Sequence, residues 1–258
     1  MSEFIKITSK DNDTIKLIAQ LQKSSKKRRE EGVFVLEGLR LCVDAVRNGF
    51  TPRKVIFSES AINKYYDEAL ELAQCPETFV VTDSLFSKIS DTVNPQGILC
   101  LCDIPYFDKN SIVSSGRYIA LENLQDPSNL GAVSRTAEAF GINGIFVQDG
   151  CDPYSPKSLR ASMGALLRIP VYQTDNLLKL FNDVGLKIYA SVISDDADKI
   201  GRIKFDDGSV AVVGNEANGI SSDLAEHCDV KVTIPMKGKA ESLNAAVAAA
   251  VLMWEMCK

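Results

Sequence analysis

Glu122-Asn123-Leu124-Gln125-Asp126-Pro127-Ser128-Asn129-Leu130-Gly131-Ala132-Val133-Ser134-Arg135 is the stretch on which the fold turns. It follows a strand-like run, Tyr118-Ile119-Ala120-Leu121, and leads into a helical stripe of Leu130, Val133, Ala137 and Phe140 that Gly141 closes. Strand, polar loop and helix in this order bring backbone N–H groups and short polar side chains into one space, where a ligand can sit. Ser128 or Asn129 is expected as the N-cap. Asp126-Pro127 should fix a tight loop, and Gly131-Ala132 should let a ligand approach the backbone. At 3.6 residues per turn, Arg135 lies about 140° round from Leu130, away from the core.

Two later stretches have the same character. In Val213-Gly214-Asn215-Glu216-Ala217-Asn218-Gly219-Ile220, Gly214 should allow close backbone approach, and Asn215, Asn218 and Gly219 are turn formers. In Ile234-Pro235-Met236-Lys237-Gly238, Pro235 ends a strand because it cannot donate to a ladder. Glu241-Ser242-Leu243-Asn244-Ala245-Ala246 then opens a last helix, with Ser242 or a neighbour as its cap. That helix has Leu243, Ala246, Val247, Ala250, Val251 and Trp254 on one stripe, and Ala245, Ala248, Ala249, Leu252 and Met253 on the other. A helix apolar nearly all round is expected to be buried.

Outward from these stretches, residues 116–258 read as strands alternating with helices, which implies a parallel sheet covered on both faces. The strand candidates are 118–121, 145–147, 171–172, 187–191, 210–213 and 231–234. Residues 1–105 read as a smaller α/β domain with helices at 12–23, 39–48 and 61–74 and strands at 33–36, 54–57, 78–82 and 98–102. Residues 106–115, with Pro105 before them and Asn110, Ser111, Ser114 and Ser115 within, read as a linker.

Of 258 residues, 45% are hydrophobic and 24% charged, an ordinary globular composition. No apolar run reaches transmembrane length, and the N-terminal residues lack a signal-peptide pattern, so the cytoplasm is expected. Seven scattered cysteines without CxxC spacing suggest neither a disulfide framework nor a metal site, and Cys100 and Cys102 are expected in a strand core. No G-x-G-x-x-G and no G-x-x-x-x-G-K-[ST] occurs, which argues against dinucleotide enzymes and P-loop NTPases. The net charge of −5 hides a basic cluster, Lys23, Lys26, Lys27, Arg28 and Arg29. Such a cluster on a mildly acidic body suits a protein that grips a phosphate backbone at one place, although it also suits a solvated helix end. His227 is the single histidine and stands outside all three stretches.

In their order and spacing, the three stretches resemble the motifs of the SpoU/TrmH branch of the SPOUT methyltransferases, which methylate the ribose 2′-oxygen of RNA with S-adenosylmethionine. The resemblance implies an α/β fold: a C-terminal parallel-sheet SPOUT domain with a trefoil knot, preceded by a small α/β domain similar to ribosomal-protein-like RNA binders. Phe34-Val35-Leu36-Glu37-Gly38 and Pro95-Gln96-Gly97 look like the start and end of that first domain. By resemblance, Asn129, Arg135, Glu216, Ser242 and Asn244 are the catalytic set, and Gly214, Ile234, Met236, Ser242 and Leu243 surround the methyl donor. Ser158-Leu159-Arg160-Ala161-Ser162-Met163-Gly164-Ala165 resembles another family segment, in which Arg160 would join the basic cluster in contacting RNA phosphate. Arginine loses its proton only at great cost, so Arg135 reads as a phosphate clamp and oxyanion stabiliser, with the general base left open. The expected substrate is ribosomal RNA, with transfer RNA as the alternative. A homodimer through the last helix is expected. The competing reading is a non-catalytic RNA-binding or ribosome-assembly protein on the same fold.

Overall fold

The computed structural model describes residues 4–72, 75 and 77–258. Two compact units divide the chain: Met1–Pro105 with Tyr154–Arg160, and Tyr106–Pro153 with Ala161–Lys258.

In the first unit the order is β1 (Ile5–Ile7), α1 (Asp13–Lys23), α2 (Ser25–Glu31), β2 (Val33–Glu37), α3 (Leu39–Arg47), β3 (Lys54–Ser58), α4 (Glu59–Lys64), α5 (Tyr66–Leu72), β4 (Glu77–Val81), α6 (Asp83–Ile89) and β5 (Ile98–Asp103). The strands form one mixed sheet in the order β1-β4-β3-β5-β2, with β5 antiparallel to both β2 and β3. Ile15, Ile18 and Leu21 of α1 recur at helical spacing and are buried with Val33, Val35, Leu99 and Leu101. Asn12 caps α1, its side chain accepting from Thr14 N at 2.9 Å. Ser24 ends α1 and starts α2 at once, its hydroxyl accepting from Lys27 N. The helix expected over 61–74 is broken at Tyr65 into α4 and α5, and residues 73–74 of that expectation lie outside the described residues. Cys100 and Cys102 are buried in β5 as expected.

The second unit contains β6 (Arg117–Glu122), α7 (Pro127–Ala139), β7 (Gly144–Gln148), α8 (Pro156–Ser162, most of it assigned to the first unit), β8 (Val171–Gln173), α9 (Leu177–Val184), β9 (Lys187–Ser191), β10 (Asp198–Lys199), β11 (Ser209–Val213), α10 (Ser222–His227), β12 (Val230–Thr233) and α11 (Ala245–Met256). All seven strands are parallel, in the order β10-β12-β9-β11-β6-β7-β8. A parallel sheet needs cover on both faces, which is why β11 is buried along its whole length and reads as an unbroken apolar run. The stretch expected as a linker packs on this unit. It carries a 3₁₀ turn at Lys109–Ser111, Ile112 is buried in the core, and Val113 N donates to the Tyr118 hydroxyl.

Helix α11 packs on α7 and against β11 and β6. It buries Ala245, Ala249, Leu252 and Met253, one of its two expected stripes. Apart from the buried Ala246, the other stripe is partly open in the single chain: Val247 is exposed, and Trp254 is 55% exposed. The helix's own chain covers it on one side, because α7 and the sheet reach no further.

Candidate functional site

In a parallel sheet, ligands collect where strands end and loops begin. Here the ends of β11 and β12 and the start of α11 do so. Residues 213–220, 233–236 and 241–245 wall one cavity of about 800 Å³ in the second unit, completed by residues 191–195, Lys199, Ala225 and Ala248. Gly214, Ile234, Met236, Ser242 and Leu243, the five residues expected around a donor, all line it. Glu216 and Asn244 of the expected catalytic set line it too. Among the lining residues Lys199 is the one base, against the three acids Asp195, Glu216 and Glu241.

Gly214 permits the close backbone approach expected of it, and the approaching backbone is the loop's own. A Cβ there would stand 2.1 Å from the carbonyl carbon of Gly219 and 2.2 Å from Ile220 N. The space is filled by the loop's own return, which pairs Asn215 with Gly219, rather than kept for a ligand. Gly131, expected to let a ligand approach, is corrected. A Cβ on it would lie 2.4 Å from the Ala161 side chain and 2.7 Å from Ser162 N, so it admits a neighbouring segment of chain.

The first motif joins the cavity through amides. Helix α7 is capped by Asp126, whose side chain accepts from Ser128 N at 2.9 Å, with Pro127 in its first turn. The expected caps, Ser128 and Asn129, lie inside the helix instead. This frees the Asn129 side chain, which is 8% exposed and spans two motifs. Its Nδ2 donates to Glu216 Oε1 at 2.9 Å, and its Oδ1 accepts from Asn244 Nδ2 at 3.0 Å. Asn244 Oδ1 in turn caps α11, accepting from Ala246 N at 2.9 Å and Val247 N at 3.3 Å. Every amide in this chain has one orientation, because a carboxylate only accepts and a helix N-terminus only donates. Glu216 also accepts from Gln125 N and Asp126 N, each at 3.2 Å. Burial pushes its carboxyl up, but the hydrogen bonds from Asn129, its own N–H, Gln125 and Asp126 outweigh that and hold it below the usual carboxylate value.

Arg135 sits on the exposed side of α7, and its guanidinium makes no ion pair or hydrogen bond with any described residue. His227 is at the end of α10, near Asp223 and away from the cavity lining.

The basic cluster divides. Lys23, Lys26 and Arg29 are exposed; Lys26 faces Glu30 at 3.8 Å, and Lys27 meets Glu31 at 2.5 Å. Arg28 is 4% exposed and donates from Nη1 to the Leu21 carbonyl, satisfying the open end of α1. Its assignment to RNA is corrected to a structural role. Arg160 donates from Nη2 to Asp91 Oδ2 at 2.6 Å, so one face of its guanidinium is committed to a carboxylate.

Two loop ties were missed in the sequence. Asn215 Nδ2 donates to the Asn123 carbonyl at 2.9 Å, and Asn123 holds a φ of 56°, a left-handed conformation that asparagine tolerates. Glu122 and Ser221 make the other. Asn123 and Asn215 offered a signal as turn formers; nothing in spacing pairs Glu122 with Ser221.

Residues 116–254 match the family model described as SpoU rRNA Methylase family, and residues 12–100 match an MRM3-like substrate binding domain. A tRNA/rRNA methyltransferase of Synechocystis is 33% identical over 98% of this chain and 94% of its own length. The 23S rRNA (guanosine(2553)-2′-O)-methyltransferase RlmP of Bacillus subtilis is 29% identical over 97% of this chain and 98% of its own. The AdoMet-bound rRNA methyltransferase of Sinorhizobium meliloti has the same fold, with a TM-score of 0.85 at 28% identity over 97% of this chain and 96% of that one.

Proposed function

The chain belongs to the SpoU rRNA methylase family, and from that premise we propose that it methylates a ribose 2′-hydroxyl of ribosomal RNA with S-adenosylmethionine as donor. It is an RNA methyltransferase. The observation that carries the reading is the single cavity walled by the second and third motifs and tied through Asn129 to the first. Its volume of about 800 Å³ lies in the range of small-molecule sites, roughly 300–1,000 Å³. Its lining also fits the donor's charge. One lysine against three carboxylates suits a ligand carrying a sulfonium and an ammonium, and would repel a phosphorylated cofactor. Residues 214–220, Ile234, Met236, Ser242 and Leu243 would hold it. When bound, the donor supplies an electrophilic methyl group.

The chain's own part is placement and charge. Arg135, exposed and uncommitted, steadies the RNA phosphate and the negative charge growing on the attacking oxygen. Asn129, Glu216 and Asn244 spend their polar atoms on one another and on backbone, so they hold the start of α7 against the cavity. Ser242 faces the cavity and is left to contact a ligand. Lys23, Lys26, Lys27 and Arg29 contribute electrostatic grip on RNA. Ribosomal rather than transfer RNA is favoured because the substrate-binding domain is present and the RlmP relative matches over its full length.

The open stripe of α11 supports a homodimer. With α7 it lines a groove of about 530 Å³ that includes Ala132, Val247, Ala250, Val251 and Trp254, an apolar face rich in small residues. A second copy of the chain is its occupant; a monomer in light scattering at micromolar concentration would rule this out. We also propose that the segment before α11 is threaded as a knot, and that the protein works in the cytoplasm. Among the described residues no helix is long and apolar enough to cross a membrane.

The decisive experiment is single-turnover transfer from labelled S-adenosylmethionine to unmodified ribosomal RNA, with the methylated position mapped. Label in the ribose 2′-oxygen of ribosomal RNA is expected. Label in transfer RNA alone would shift the substrate, and no donor binding would overturn the reading.

A further inference from the structure

We infer that Glu122 is a positioning residue for the donor cavity, acting through Ser221. The inference rests on the donor reading of the cavity.

Glu122 is the last residue of β6 and is 7% exposed. Both of its carboxylate oxygens go to one residue: Ser221 N donates to Oε2 at 2.7 Å, and Ser221 Oγ donates to Oε1 at 2.6 Å. Ser221 follows directly on Ile220, where the 213–220 wall of the cavity ends. The same hydroxyl accepts from Leu224 N at 3.3 Å and so caps α10. It donates one way and accepts the other, which fixes its rotamer. Capping alone needs only the hydroxyl oxygen. Burying a carboxyl beside it carries a desolvation cost that the cap does not require. What the carboxyl adds is a two-point anchor from a central strand of the sheet to the far end of the cavity wall.

The anchor has a counterpart running the other way. Glu216, on the wall, holds the start of α7 through Gln125 N, Asp126 N and Asn129 Nδ2. The wall is thus fixed at four places: its strand end at Val213, Asn215 on the Asn123 carbonyl, Glu216 near its middle, and Ser221 at its close. Without Glu122 the last third is held by the short α10 and by Asn215, which pairs with Gly219 and accepts from Asn218 N. A looser wall must be ordered again each time a ligand binds, which costs affinity without touching the chemistry.

The test is calorimetric binding of S-adenosylmethionine to the full chain carrying Glu122→Gln or Ser221→Ala, beside thermal unfolding and single-turnover transfer at saturating donor. Each variant should raise the donor Kd roughly tenfold, the scale of re-ordering a short loop, with transfer at saturation within about twofold. Ser221→Thr, which keeps both donors, should recover most of the affinity lost in Ser221→Ala. The double variant should lose little more than either single one, because both cut the same tie. Lowered stability with an unchanged Kd in the folded protein would overturn the inference, as would additive losses. If Glu122→Gln does not fold, Ser221→Ala decides, since it removes one hydroxyl from an exposed residue. Should the unmutated chain bind no donor, the functional reading fails; should it bind and the variants match it, only this inference fails.

Discussion

Glu37 in the first unit and Glu216 in the second are carboxylates held by neutral donors, and they do different work. Glu37 is 8% exposed and accepts from Asp91 N at 2.8 Å, Ser90 Oγ and Thr92 Oγ1 at 2.5 Å each, and Gln22 Nε2 at 3.4 Å. It gathers residues 90–92 onto the end of β2. Glu216 gathers the start of α7 by the same chemistry, but it stands at the lip of an 800 Å³ cavity and remains open to solvent. The arginines repeat the contrast. Arg28 is turned inward onto the Leu21 carbonyl, whereas Arg135 faces out with no described residue bonded to it. A well-bonded charged residue is therefore no sign of a site. The signs are an adjoining cavity, as at Glu216, or unspent hydrogen-bonding capacity, as at Arg135.

The largest effect should come from the unspent side. Arg135→Ala should leave folding and donor binding intact and lower single-turnover transfer by roughly 10²–10³, the loss typical of one transition-state donor. Arg135→Lys should recover only part, since a point charge does not reproduce a planar fork. Near-normal transfer by Arg135→Ala would break the contrast, leaving Arg135 a surface residue like any other.

On the structural side, Glu37→Ala takes the acceptor from Asp91 N and Thr92 Oγ1, while Gln22 keeps the Ile89 carbonyl and Ser90 keeps the Thr92 carbonyl. Urea unfolding should show a loss of about 1–2 kcal/mol, from donors that lose a partly buried acceptor. Donor Kd should stay within about twofold. A comparable loss of donor affinity would show that the two carboxylates are not separate in function.

How far this division could be read beforehand differs by residue. The strands were legible because Val33-Phe34-Val35-Leu36 and Val210-Ala211-Val212-Val213 are β-rich runs bounded by polar residues. Helix α2 was not, because Ser25–Glu31 has no apolar stripe; its start depends on Ser24 ending one helix while capping the next. The motif residues around the cavity were legible through family resemblance. The geometry that gives them roles was not. Gly131 and Gly214 are recognisable as close-approach positions, but the sequence does not say that the approaching backbone is residues 161–162 and 219–220. Asn129 looked like a cap because Asp126-Pro127 and Ser128-Asn129 are both acceptable helix starts, and only the folded loop selects Asp126. Arg28 is indistinguishable from its basic neighbours until the end of α1 is in place.

Glu216 offers a smaller, pH-dependent effect. Its folded carboxyl value lies below the usual 4.5, so its tie contributes fully above that value and is lost as pH falls through the lower folded one. Transfer should therefore be insensitive to this group near neutrality. Glu216→Gln should cost transfer roughly tenfold, because an amide NH₂ must face one of the donors that the carboxylate accepted from. The denaturation midpoint at neutral pH should fall modestly, because a value lowered on folding marks a stabilising tie. A pH profile of donor binding that stays the same in Glu216→Gln down to the acid limb would remove Glu216 from the loop's support.

The smallest effect belongs to the cluster in which inward and outward cations sit side by side. Lys23, Lys26 and Arg29 are exposed, Lys27 is partly engaged by Glu31, and Arg28 is buried. If the exposed members meet RNA phosphate, each neutralised contact releases condensed counterions, and the salt dependence of binding counts them. Replacing Lys23, Lys26 and Arg29 together with Gln should flatten the slope of log K against log salt by about two units for single-stranded RNA, at roughly 0.7 per contact. Donor Kd and unfolding should be unchanged, because none of the three is bonded into the core. Arg28→Gln should do the reverse: it takes a donor from the Leu21 carbonyl, lowers stability by about 1–3 kcal/mol and leaves the slope alone. A slope that falls for Arg28→Gln and not for its exposed neighbours would mean that RNA binding reorganises the α1–α2 junction.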